Sequence, residues 1–160
     1  MSKKFNLYIG KAGHLAIMSE FLMRGWNVAI PEVDIGDDIF VVKDENGDLR
    51  RVQVKTGSAN YKKNPEKYSS SFQIPIDQVE TIKSPLIYYI FIVRKQNSWT
   101  HPLIIRQDIL LDHIVIDKIG SKYKSTVVLY FSFSDRKVLC SKQNFSKYID
   151  DYADFPIINH

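Results

Sequence analysis

Four carboxylates crowd one short stretch, Glu32, Asp34, Asp37 and Asp38. Asp38 is the one joined directly to an apolar run, Ile39-Phe40-Val41-Val42, so it stands at the mouth of a strand and points to one face. A second run, Val52-Gln53-Val54-Lys55, follows across the turn Asp44-Glu45-Asn46-Gly47-Asp48. With a strand period of two, Val52 and Val54 face one side while Gln53 and Lys55 face the other. If that second side meets Asp38, the Asp38 carboxylate, the Gln53 amide oxygen and the Val54 carbonyl form an oxygen site. Waters would complete the octahedron that magnesium prefers. Lys55 beside it would orient or deprotonate an attacking water and neutralise a phosphate.

The elements that must hold these groups follow from pattern. Residues 11–25 predict a helix with two adjacent stripes, Leu15, Met18 and Leu22 beside Ile17 and Phe21, as for a helix lying on a sheet. Arg24 in the last turn and Gly25 predict its end. Residues 28–30 predict a short strand that Pro31 ends. Asn46-Gly47 joins strands 38–43 and 49–56 as a hairpin, because such turns need positive φ. Residues 57–71 carry three lysines and no apolar periodicity, and predict a long exposed loop. Beyond it come a strand at 71–76, a short helix at 77–83 capped by Asp77, and a central strand at 86–95 buried on both faces. A short strand at 103–105, a helix at 107–113, a buried strand at 126–133 and a terminal helix at 144–152 complete the expectation. The class is α/β, a mixed central β-sheet flanked by helices.

Composition narrows the functions. The 160 residues suit one domain, 44% apolar and 25% charged, which excludes a disordered chain. The formal charge of +4 permits a polyanionic partner without requiring one. A single cysteine excludes an internal disulfide, so the expected compartment is the cytoplasm and Cys140 is expected as a buried, inert thiol. The longest strictly apolar run, residues 86–93, is far short of the ~20 residues of a membrane helix, and the N-terminus lacks a signal-peptide pattern. His101, His113 and His160 show no ligand spacing with each other or with Cys140, which argues against zinc. Neither a glycine-rich phosphate loop nor a nucleophile-elbow serine is present.

Residues 10–56, with the helix, Gly25, Pro31, Asp34-x-Gly36-x-Asp38 and Gln53-Val54-Lys55, resemble the catalytic core of the PD-(D/E)XK nuclease superfamily, nearest its small endonuclease-like and Holliday-junction-resolvase-like domains. The resemblance implies a restriction-endonuclease-like fold with an α-β-β-β-α-β core at about 7–95 and residues 96–160 as an extension of the same domain. It implies a DNA endonuclease that uses Mg2+ or Mn2+ to activate water. The family aspartate falls on Asp38 and its (D/E)-x-K element on Gln53-Val54-Lys55, with Gln53 in the acid's place. The helix glutamate position is His14. Glu20, six residues on and about 120° around the helix, is the other residue that could complete the site. Asp34 is either a turn-former or a carboxylate near the metal, and Asp37 is expected as a turn residue. Lys11, Tyr61, Lys62, Lys63 and Lys67 are expected to contact DNA, lysines on phosphates and tyrosines on bases, although such a run also suits a solvated loop. One site per chain implies a homodimer or higher homo-oligomer for double-strand cutting. The alternative is a catalytically impaired module of the same fold that binds nucleic acid or a protein.

Overall fold

The computed structural model describes residues 3–32, 36–61, 66–135 and 137–159. A long helix, α1 (Lys3–Met23), leads into β1 (Asn27–Ala29), β2 (Ile39–Lys43) and β3 (Asp48–Ser58). Two strands follow, β4 (Asn60–Tyr61) and β5 (Lys67–Pro75), then helix α2 (Ile76–Glu80) and strand β6 (Ile87–Lys95). The rest is β7 (Ser98–Trp99), β8 (Leu103–Arg106), α3 (Gln107–Val115), β9 (Ser121–Tyr123), β10 (Thr126–Ser134), β11 (Lys137–Cys140) and β12 (Gln143–Asn144).

The first sheet runs β1-β2-β3-β6-β7, with β8 also paired to β6. It is mixed, because β3 and β6 are parallel and its other pairs antiparallel. This is the mixed α/β sheet flanked by helices, in the expected order α1, β1–β3, α2, β6. A second six-stranded sheet, β12-β11-β10-β5-β4 with β9 on β10, takes in the strands expected at 71–76 and 126–133 but was not expected as a separate sheet. It claims both ends of the stretch expected to be a loop at 57–71, where β4 pairs with the start of β5. Lys62 and Lys63 lie outside the described residues, as does Asp34.

Two apolar cores result. One lies between α1 and the first sheet, where Ile17 and Phe21 meet Val52, Val54 and Ile90. The other lies between the sheets, around Phe72, Tyr89, Phe91, Leu129 and Phe131. β6 feeds both and is buried on both faces, as its unbroken apolar run predicts. β10 instead alternates, since the second sheet is covered on one face alone.

Three helical expectations change. On α1 the packed stripe is Ile17 and Phe21, whereas Leu15 and Leu22 are half exposed. Pro75 precedes α2 and no side chain caps it, so Asp77 lies inside its first turn. Residues 144–152 form β12 and a single 3-10 turn, Ser146–Tyr148. Phe145, Tyr148 and Tyr152 mimic helical spacing, but Asp150 adopts φ +51° and breaks the turn. The C-terminal chain then seals α1: Phe155 lies 4.8 Å from Phe21, and Trp26 Nε1 donates to Pro156 O at 2.8 Å. No helix among the described residues is long and apolar enough to cross a membrane.

Candidate functional site

The β2–β3 hairpin places Asp38. Ile39 pairs with Val52, so Asp38 stands just beyond the end of β2. Its backbone N–H donates to Val52 O at 2.9 Å, and its carboxylate Oδ2 accepts the Val54 N–H at 2.7 Å. Asp38 thus bonds the residues on both sides of Gln53, and its side chain continues the ladder that its backbone begins. A carboxylate held by a backbone donor is oriented before any ligand arrives.

Helix α1 brings His14 to the same carboxylate, with Nε2 3.6 Å from Asp38 Oδ2. The approach depends on Gly13, where a Cβ would lie 2.1 Å from Thr56 Cγ2 and 3.4 Å from Ile92 Cγ2. Only a glycine lets the helix backbone lie this close to β3. Glu20 is not brought to this place. It lies about 9 Å further along the helix, accepts from Arg24 Nε at 3.2 Å, and lines a separate cleft with His101, Asp150 and Tyr152.

Gln53 is 4% exposed and shares its face of β3 with Arg51 and half-buried Lys55. Its Nε2 donates to Gln78 Oε1 on α2 at 3.2 Å, and its Oε1 is buried without a hydrogen-bond partner among the described residues. The contact with Gln78 fixes the amide so that its oxygen is the atom left available. Gln78 is itself held: its backbone oxygen accepts from Gln107 Nε2 at 2.9 Å and from Tyr89 Oη at 3.2 Å. Burial, reinforced by the nearby carboxylates of Asp37, Asp77 and Asp38, holds the Tyr89 hydroxyl protonated well above the usual tyrosine range. Gly36, at φ +94°, leaves room for Gln78, whose Nε2 would lie 3.1 Å from a Cβ there.

Asp37 is no turn residue. It is 1% exposed and forms an ion pair with Arg51, whose Nε lies 3.1 Å from Oδ2 and whose Nη2 contacts the same oxygen. Gln78, Arg51 and Gly13 are the site-building residues that sequence reasoning missed. The polarity of Arg51 on the Gln53 face was a usable signal, because it places a cation beside the acidic stretch. Gln78 and Gly13 act through long-range contacts that no local pattern announces.

The expected DNA contacts are dispersed. Lys11 is exposed on α1, three residues before His14. Tyr61 lies opposite Tyr68, with ring centroids 6.1 Å apart, and exposed Lys67 lies opposite Ser134. Lys95, whose ammonium sits 5.3 Å from the Tyr68 ring centroid, is four residues beyond Phe91, the β6 partner of Lys55. That separates this patch from the Lys55 level by about 13 Å along the strand.

In its donor chemistry the site is a carboxylate, a buried neutral oxygen, an imidazole and an ammonium. No group of three or more His, Cys, Asp or Glu side chains with metal-binding geometry occurs among the described residues. A carboxylate and a neutral amide oxygen are ligand types that a hard cation takes, with waters filling its remaining positions. No protein-family model matches the chain, and no curated protein matches it. Among solved structures the chain is similar to a bacterial homing endonuclease, I-Ssp6803I, with a TM-score of 0.51 and 15% identity over 95% of this chain and 89% of that one. The likeness shows an endonuclease-like fold.

Proposed function

We propose that this chain is a divalent-metal-dependent DNA endonuclease of the PD-(D/E)XK type, with Gln53 in the position of the second acid. The observation that carries the proposal is the buried Gln53 Oε1, without a hydrogen-bond partner among the described residues and in register with Asp38, whose backbone and carboxylate bond the residues on both sides of Gln53. An unsatisfied buried acceptor costs about 1–3 kcal/mol, a cost a fold retains where a ligand meets the atom. The homing endonuclease named among the similar structures supports DNA as the substrate class.

Asp38, Gln53 and the Val54 carbonyl would hold Mg2+ or Mn2+. Such an ion supplies Lewis-acid polarisation of the phosphate and lowers the pKa of a water. Lys55 presents its ammonium on the Gln53 face, where it neutralises phosphate charge and holds the attacking water. His14 shares the Asp38 carboxylate and is the helix residue of the site. Cytoplasmic action on DNA by a homo-oligomer, two sites cutting two strands, belongs to the same proposal.

A second reading is motivated by the small number of acidic ligands: a module of this fold that binds DNA without cutting it. Cleavage of plasmid and branched DNA with Mg2+ or Mn2+ separates the two. Wild type cuts, Asp38→Asn abolishes cutting, and Lys55→Ala lowers it by about 10²–10⁴-fold. Salt-dependent binding with no cleavage that these substitutions remove would establish the second reading.

A further inference from the structure

The second sheet turns one face to water, and that face leads to the Asp38 site. On β5 and β10 the inward residues Phe72, Ile74, Leu129 and Phe131 are buried. The alternating Ser71, Gln73, Tyr130 and Ser132 are exposed, with Ser69 half-buried beside them. Val128 and Leu139 are half-buried members of the same face. None of the six strands of this sheet contains Asp or Glu. Lys67 and Lys137 both stand opposite Ser134 at one end of the face, with Glu66 and Asp135 just outside the strands there, and Lys122 of β9 pairs with Glu80. The cleft beside the far half of α1 differs, since Glu20 and Asp150 line it. β2 pairs with β3 only as far as Val52, and the Val54 N–H on that edge goes to the Asp38 carboxylate. Beyond it a groove opens, bordered by Asn6 of α1, Thr56, Gly57 and Ser58 of β3, and Ser71. A second groove shares Ser58 and Ser71 with the first and carries on to Asn60, Ser69 and Tyr130.

We propose that this face docks a DNA duplex and reads its base edges, giving the neighbouring site a preferred sequence. The proposal rests on the chain being a DNA endonuclease, and adds where the duplex lies and what selects it. The composition of the face favours DNA over a protein as its occupant. Protein–protein interfaces are depleted in serine, whereas serine is the commonest residue here. Hydroxyl and amide side chains bond phosphate oxygens and base edges alike, and glutamine meets adenine through two bonds. Strands without carboxylates let phosphates approach unrepelled. Cationic contacts alone position a protein without selecting a sequence; here Lys67 and Lys137 stand at one end, and the neutral donors occupy the middle. The β5–β10 pairing extends nine residues. At strand rise that is about 30 Å, close to the roughly 34 Å of one duplex turn.

Selection of bound duplexes from a random-sequence pool, followed by fluorescence anisotropy without Mg2+ or Mn2+ so that no strand is cut, tests it. Wild type enriches one sequence and binds it about 10³-fold or more tighter than the starting pool. Ser71→Ala/Gln73→Ala keeps its affinity for the pool and loses about 10-fold or more of that preference. Ser71→Glu/Ser132→Glu binds every duplex about 10–100-fold more weakly, with an unchanged circular dichroism spectrum because both positions are exposed. The same two charges placed as Leu22→Glu/Met23→Glu, exposed at the end of α1 far from Asn6, leave binding unchanged. A wild type that enriches no sequence overturns the proposal. So does a folded Ser71→Glu/Ser132→Glu protein that binds as tightly as wild type, or an equal loss in Leu22→Glu/Met23→Glu. Cutting is read separately with Mn2+: a wild type that selects and binds a sequence but leaves it intact supports this face and counts against the endonuclease reading alone.

Discussion

The two faces of the first sheet are made of the same strands and are filled in opposite ways. The face under α1 is apolar throughout: Ile17, Phe21, Val52, Val54, Ile90 and Phe155 close it. The face toward the second sheet is apolar at its centre, but the strongly buried polar residues gather on its side of the molecule. Asp37, Gln53 and Gln107 converge around α2, and Ser70 bonds Ser58 O at the end of β3. Burying polar groups is unfavourable unless each is bonded. Gln107 ties down the end of α2, its Nε2 reaching the carbonyl oxygens of Gln78, Val79 and Thr81, while its Oε1, like that of Gln53, is buried without a hydrogen-bond partner among the described residues. What sets Gln53 apart is its place in register with Asp38, whose carboxylate bonds the backbone of Val54. The apolar face makes stability; the polar end of the other face gives some of it up to hold a site.

That contrast breaks most visibly through Arg51. Arg51→Ala leaves Asp37 buried and uncompensated, and is expected to cost about 3–5 kcal/mol. Phe21→Ala, on the apolar face, costs a similar 3–5 kcal/mol by cavity formation. The two losses differ in kind. Adding Asp37→Asn restores much of the Arg51→Ala loss, because it removes the stranded charge, and no polar partner substitution restores Phe21→Ala. Chemical denaturation of the three variants checks this, and an Arg51→Ala/Asp37→Asn protein no more stable than Arg51→Ala would contradict it.

A smaller effect is alkaline. Both faces bury phenols: Tyr88 and Tyr152 under the helix side, Tyr89 toward α2. Burial, with the Asp154 hydrogen bond, pushes Tyr88 up to about 12, and burial raises Tyr89 and Tyr152 as well. Because the folded values lie above the ordinary value of 10.0, the stability these groups contribute is complete below pH 10. It is lost as pH rises from 10 toward about 12. Circular dichroism and phenolate absorbance followed together should show unfolding and tyrosine ionisation rising in one step, rather than free titration near 10.

Much of the site was legible in the sequence because its parts are local. Asp38 at the mouth of a strand and Gln53 with Lys55 on one side of the next follow from period-two alternation around an Asn-Gly turn. His14 follows from the resemblance of the whole helix–hairpin order. What was not legible depends on contacts between segments far apart. Gly13 matters through Thr56, Gln78 through Gln53, and Asp37 through Arg51, pairs that no window of sequence joins. Strands at 71–76 and 126–133 were expected, but their pairing into a second sheet was not, and the serine-rich first half of β5 lacks apolar alternation and becomes a strand by pairing along β10. On α1 the pattern showed two apolar stripes without saying which one meets the sheet. The close approach at Gly13 decides for Ile17 and Phe21 and leaves the other stripe outward.

The central claim is that Gln53 Oε1 and Asp38 hold a divalent cation, and binding of Mn2+ by titration calorimetry to wild type, Gln53→Leu and Asp38→Asn tests it most directly. Gln53→Leu removes both the unsatisfied acceptor and the amide donor to Gln78 Oε1, effects of opposite sign, so its thermal stability should stay within about 1 kcal/mol of wild type. Its affinity for Mn2+ should nevertheless fall about 10–100-fold, and that of Asp38→Asn further still. A Gln53→Leu protein that folds as well as wild type and binds Mn2+ just as tightly would contradict the account.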